Sequence, residues 1–220
     1  MFASEYRAIA RERLQGNWGL SVLAGLIASL LGAISYGSFS INAEDYEFLS
    51  KYEWLLPILA ILASYATIVS IVTFILGGVT QLGYCSYLLK QYDRSDFHLK
   101  DLFSHYSTNF SGGFCLRLLT SIFIFLWSLL FLIPGIVKTY SYAMAPYLMA
   151  EHPEWGAQEC LTRSREIMNG HKWELFCLQW SFIGWILLSL FTLGIGNLFL
   201  VPYMQASRAA FYRNLCPNFI

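Results

Sequence analysis

Four stretches of the chain run without a single Asp, Glu, Lys or Arg: Leu14 to Ala43 (30 residues), Trp54 to Leu89 (36), Leu118 to Val137 (20) and Leu175 to Ser207 (33). A shorter one covers Thr139 to Ala150. About 20 apolar residues in a helix cross a hydrocarbon core of roughly 30 Å, so each long run predicts at least one crossing. The third run ends in Pro134-Gly135, a pair that breaks helices and turns chains. One helix is therefore expected over 114–133 and a returning one over 136–151. The last run is too long for one crossing, and Gly194-Ile195-Gly196-Asn197 divides it into spans near 173–193 and 198–212. The 36-residue run would reach about 54 Å as a single helix, and fits one crossing or two.

The basic residues decide that count, because Lys and Arg are strongly biased to cytoplasmic loops. With one crossing, Arg7, Arg11, Arg13, Lys90, Arg94, Lys100, Arg117, Arg163, Arg165, Lys172, Arg208 and Arg213 fall inside, and Lys51 and Lys138 outside. That is 12 of 14 on one face. A second crossing would move the N-terminal arginines outside, so the run is read as one long helix starting near Pro57. The expected architecture is all-α: a polytopic membrane protein forming a single domain over 1–220. Its six transmembrane helices lie near 19–41, 57–89, 114–133, 136–151, 173–193 and 198–212, with both termini cytoplasmic.

Each pair of spans follows an amphipathic stretch with helical spacing. Ser4–Gln15 presents Tyr6, Ile9, Ala10 and Leu14. Ser95–Tyr106 presents Leu99, Leu102, Phe103 and Tyr106, and Pro153–Met168 presents Ala157, Cys160, Leu161, Ser164 and Met168. We read a threefold unit of cytoplasmic interfacial helix, span, outer turn and returning span. Two further signals support an internal repeat. Arg11-Glu12-Arg13-Leu14-Gln15-Gly16 matches Arg165-Glu166-Ile167-Met168-Asn169-Gly170, with Trp18 and Trp173 following. A Gly-to-Tyr spacing of seven recurs at Gly77/Tyr84, Gly135/Tyr142 and Gly196/Tyr203. In the first span Ser21, Gly25, Ser29, Ala33 and Gly37 fall at four-residue steps, a small-residue ridge of the kind that lets helices approach closely in lipid.

Composition agrees with this picture. The 220 residues are 56% apolar and only 13% charged, against roughly 25% charged in ordinary soluble domains. Net charge is zero, so no basic field exists to attract a phosphate backbone, and nucleic acid is not an expected partner. The charged N-terminal stretch and the length of the first apolar run do not fit a cleavable signal. Cys85, Cys115, Cys160, Cys177 and Cys216 all fall in cytoplasmic segments or at cytoplasmic helix ends, where thiols stay reduced.

At this point several motifs carry a resemblance. They are Gly16-Asn17-Trp18, Leu126-Trp127-Ser128-Leu129-Leu130, Ile133-Pro134-Gly135-Ile136-Val137-Lys138 and Tyr140-Ser141-Tyr142-Ala143-Met144-Ala145-Pro146-Tyr147. In the second half Ser164-Arg165, Gly170-His171-Lys172, Ser181-Phe182-Ile183-Gly184-Trp185, Pro202-Tyr203 and Ala210-Phe211-Tyr212 join them. Together they resemble the bacterial membrane-protein family catalogued as domain of unknown function 975. The resemblance spans about residues 7–215 and implies a six-span protein of the bacterial cytoplasmic membrane, distantly similar to the membrane region attached to some glycerophosphodiesterases. It implies no catalytic residue.

The chemistry of the sequence is sparse. A charge at the bilayer centre costs at least ~2.5–3.5 kcal/mol, and Arg117, Glu174 and Lys138 all lie within a turn of a boundary, where they can snorkel. Ser35 lies at the outer end while all four His are cytoplasmic, and Asp93 and Asn197 fall at opposite faces, so neither type of intramembrane protease can assemble. His98, Asp101 and His105 share a helical face without a fourth ligand, and no phosphate-cradling Gly-Lys-Ser/Thr box exists. No catalytic, metal or cofactor site is therefore expected. Lys138, Tyr140, Ser141 and Tyr142 make the fourth span the most polar. With Asn197, Tyr203 and Gln205 of the sixth they are candidate cavity-lining residues. The expected role is a non-enzymatic scaffold, partner subunit or lipid-organising element, whose partners are the bilayer and either another membrane protein or a second copy. The alternative is a small transporter or permease subunit.

Overall fold

A computed structural model describes residues 3–15, 17–30, 56–191 and 195–216. All regular structure among them is helical. The helices are α1 (Ala3–Leu14), α2 (Trp18–Leu30), α3 (Leu56–Tyr92), a 3-10 turn (Leu99–Phe103), α4 (Ser104–Thr108), α5 (Phe110–Leu130), α6 (Leu132–Ser141), α7 (Ala145–Glu151), α8 (Ala157–Ile167), α9 (Lys172–Trp180), α10 (Ile183–Phe191) and α11 (Ile195–Leu215).

The long run forms one uninterrupted helix, α3, through Gly77-Gly78. Two described segments, Ser64–Tyr92 and Phe110–Leu130, are long and apolar enough to cross a bilayer, and Trp18–Ser29 is a shorter apolar helix.

The middle hairpin turns three residues earlier than Pro134-Gly135 suggests. The break is Phe131, whose backbone is extended at φ −157° and ψ 143°. Pro134 sits in the first turn of α6, where its missing N–H has no helical partner to lose. Gly135 serves contact instead of turning: a Cβ there would meet Ser128 Cα at 2.9 Å and Oγ at 2.2 Å. The returning segment is also broken, at Tyr142, into α6 and α7. Ser181-Phe182 similarly divides the fifth segment into α9 and α10. Each of these last two breaks frees a carbonyl, and a side chain from a neighbouring amphipathic helix bonds it. Ser164 Oγ donates to Ser141 O at 2.8 Å, and Arg7 Nη1 donates to Ser181 O at 3.4 Å.

The amphipathic stretches turn their apolar faces to protein. All five residues expected on the face of the third, Ala157, Cys160, Leu161, Ser164 and Met168, are buried. In the first, Tyr6, Ala10 and Leu14 are buried; α1 lies along α11, with the Tyr6 and Phe211 rings 5.2 Å apart. The second is a 3-10 turn and a one-turn helix instead of a continuous helix. Leu102 is buried there, whereas Phe103 is exposed. Gly83 accepts this turn closely, since a Cβ would lie 2.0 Å from Leu102 O.

The core is therefore polar-ended and lopsided. It gathers Tyr84, Tyr87 and Leu88 of α3, Tyr147 to Met149 of α7, and Ala209 to Tyr212 of α11. At the opposite pole Ile61, Tyr65 and Ile68 of α3, Phe125 to Phe131 and Ile133 around the α5–α6 turn, and Leu187, Leu188 and Phe199 lie largely exposed.

Candidate functional site

Two glycines bring α3 and α5 together. A Cβ on Gly78 would sit 2.5 Å from Gly113 O, and one on Gly113 would sit 3.0 Å from Val79 Cα. Beside this crossing a cavity of about 460 Å³ opens between α3, α5, α6, α9 and α11. Its polar lining includes Gln81, Arg117, Tyr140, Gln179 and Arg208. The Tyr140 hydroxyl donates to Gln179 Oε1 at 2.9 Å, which leaves the amide NH2, a pure donor, as the uncommitted end of Gln179. The Arg117 guanidinium lies 5.3 Å from the centre of the Phe74 ring. Thr120 and Thr139 donate their hydroxyl protons to carbonyls of their own helices, Leu116 O and Gly135 O. Among the described lining residues two are arginines and none is Asp or Glu. The cavity is cationic and rich in donors.

The residues expected to line one cavity are shared among several places. Tyr140 and Tyr142 line the cationic cavity. Tyr142 also lines a smaller pocket with Lys138 and Arg165, where the Lys138 ammonium lies 4.6 Å over the Trp127 ring. Ser141 is buried and donates to Val137 O. Asn197 accepts from Ser189 Oγ at 3.0 Å and borders a small pocket with Gly25 and Ser29. Tyr203 lines an apolar cavity of about 480 Å³ with Trp18, Trp185 and Arg11, and Gln205 is half-buried on α11. In the small-residue ridge, Ser21 is buried and accepts from Gln91 Nε2 at 2.8 Å. Gly25 packs against Tyr84 and Pro202, and the Ser29 hydroxyl donates to Leu26 O. Ala33 and Gly37 lie outside the described residues, as does Gly16 of the repeat.

Gln81 and Gln179 escape a reading that follows formal charge, and Arg208 is counted in such a reading only for the side of the membrane it falls on. The signal was an amide inside an apolar run, at Gln81 and Gln179, facing no expected partner.

A second polar cluster ties three helix ends together. Arg213 of α11 donates to both Glu151 at the end of α7 and Asp93 just beyond α3, and the Tyr212 hydroxyl donates to Glu151. Burial would lower the Arg213 pKa, but the two carboxylates outweigh it and hold the guanidinium more firmly charged than usual. With Arg213 buried and both acids engaged, the cluster reads as a structural tie.

His98, Asp101 and His105 do not converge as ligands. Burial would raise the Asp101 carboxyl. However, the His98 N–H at 2.8 Å and the Lys90 ammonium at 2.7 Å hold it below the usual carboxylate range. His105 is buried with its Nδ1 2.9 Å from Ser104 Oγ. Burial holds its pKa below the usual imidazole value, against the opposing effect of its bond to the Ala150 backbone. Among the described residues no three metal-ligating side chains come together.

The family profile described as "Protein of unknown function (DUF975)" matches residues 1–141 and 131–218. No curated protein and no solved structure matches the chain. The two matched segments together run from the first residue to within two of the last, so the chain belongs to the DUF975 family.

Proposed function

We propose that the chain is an integral protein of the bacterial cytoplasmic membrane. Six apolar passes form three hairpins with both termini cytoplasmic, and the protein acts as a scaffold, partner subunit or lipid-organising element without catalysis. The observation that carries this reading is the exposed apolar pole. Leu129, Phe131 and Ile133 are 78%, 68% and 75% exposed, and Ile61 and Tyr65 nearly as much. In water so many exposed large apolar side chains would drive aggregation; in lipid they are the expected exterior. The charged ends and the Arg213 tie gather at the other pole, in keeping with a single cytoplasmic face.

The outgoing helix of the middle hairpin, Phe110–Leu130, has 21 residues, about 31 Å of helix against the roughly 30 Å core. Every residue from Leu129 to Val137 is apolar or Gly/Pro. At the turn Phe131 N–H donates to Trp127 O and Phe131 O accepts from Gly135 N–H.

The threefold repeat belongs to the same proposal, supported by the burial of Tyr84, Tyr142 and Tyr203, its three spaced tyrosines. The transport alternative draws support from the cavity shared by Tyr140, Tyr142 and Arg208. Cysteines placed at the buried Ser141 and Ser189 separate the two readings. A scaffold keeps both closed to water-soluble thiol reagents, whereas labelling of both favours transport. Copurification in mild detergent then reads out a partner.

A further inference from the structure

We propose that the cationic cavity binds a phosphate group, carried by an anionic lipid headgroup or by a free phosphate compound. Arg117 and Arg208 come from different helices, α5 and α11, and line one space with no carboxylate among its described lining residues. Guanidinium groups do not give up their charge at accessible pH. Half-buried Arg208 therefore calls for a counter-anion. Arg208 has no hydrogen-bond or ion-pair partner among the described residues, unlike Arg213 five residues on, which holds two acids. The guanidinium fork fits phosphate oxygens two at a time.

The remaining polar wall suits the same ligand. The Gln179 amide is turned donor-outward by Tyr140, and Gln81 adds a second amide on α3. The volume, about 460 Å³, falls in the ~300–1,000 Å³ range of small-molecule sites. The surrounding wall, with Leu82, Leu116, Ile124 and Ile136, would accept the glycerol and first methylenes of a lipid as readily as it would exclude water. A divalent cation or a basic peptide finds no oxygen anion here.

This inference rests on the membrane reading, and the two fail separately: a chain that stays dissolved without detergent sinks the latter before any ligand is added. The test is thermal unfolding of the full chain in dodecyl maltoside micelles. It is titrated with inorganic phosphate against chloride at matched ionic strength, and with phosphatidylglycerol against phosphate-free diacylglycerol. A saturable rise in midpoint with inorganic phosphate assigns a free phosphate ligand; a rise with phosphatidylglycerol alone assigns a lipid headgroup. Arg117→Gln and Arg208→Gln should each weaken the responding probe by roughly tenfold or more, the scale of one lost charge-assisted bond. Arg163→Gln, on the exposed face of α8, should bind like the unmodified chain. The proposal is overturned if neither probe shifts the unmodified chain, if diacylglycerol matches phosphatidylglycerol, or if Arg163→Gln weakens binding as much as the cavity variants do. Should Arg117→Gln fail to fold, Arg208→Gln and the probe arms on the unmodified chain decide.

Discussion

At the residue scale the clearest consequences concern titration. Burial pushes the Cys160 and Cys216 thiols up to about 11. Since the thiolate is the nucleophile, both should resist iodoacetamide at pH 8 in the folded protein and react only after denaturation. Mass spectrometry of labelled peptides reads this out, and rapid labelling of either in the native state would contradict it. For His105 the folded value lies below the unfolded one, so its contribution is intact above about pH 6.5 and is lost as pH falls through the folded value. Asp101 has the same sign, with its loss setting in below about pH 4. Unfolding midpoints should therefore fall on acidification, and His105→Phe should flatten the upper part of that fall. Residue chemistry of this kind was only partly legible in the sequence. The spacing of His98, Asp101 and His105 was plain. That Asp101 caps a 3-10 turn, and so is unavailable to a metal, depends on a backbone conformation that spacing does not reveal.

At the scale of elements, close approach governs. Gly135 faces backbone as well as side chain of α5, so Gly135→Val should cost ~1–3 kcal/mol as an overpacked contact. Gly78→Leu at the α3–α5 crossing should cost at least as much. At Gly25 the neighbours stand off at 3.5 Å and beyond, but a leucine needs far more room than one Cβ. Gly25→Leu should accordingly disturb folding more than Leu26→Phe, judged by monodisperse yield in detergent. Arg213→Met leaves Glu151 and Asp93 without their shared cation, a loss of ~3–5 kcal/mol by the usual cost of breaking a buried pair. Replacing all three by apolar residues should be milder.

The face of the third amphipathic stretch was readable because burial there follows a period near 3.6, with Ala157, Cys160, Leu161, Ser164 and Met168 all buried; the second stretch, with Phe103 exposed, was not. What those faces pack against was not, since an apolar stripe looks the same whether it meets lipid or α11. The turn at Phe131 was misplaced for a related reason. Proline marks the start of a returning helix as readily as its end, and an apolar turn carries no polar punctuation.

At the scale of the molecule, one pole is packed, charged and tied by Arg213, and the other is apolar and exposed. This asymmetry follows from the order of the sequence, in which charged amphipathic segments alternate with uncharged runs. The two arginines of the candidate cavity come from the edges of two such runs, Arg117 just before Leu118 and Arg208 just after Ser207. Whether the apolar pole faces lipid is the claim on which the rest depends. Spin labels placed at Ile61, Leu129, Ile133 and Leu187, and for reference at Arg94 and Glu166, test it most directly through collision with oxygen against a water-soluble nickel chelate in reconstituted bilayers. The first four should favour oxygen and the last two nickel. Nickel access at Leu129, Ile133 and Leu187 equal to that at Arg94 would contradict the account.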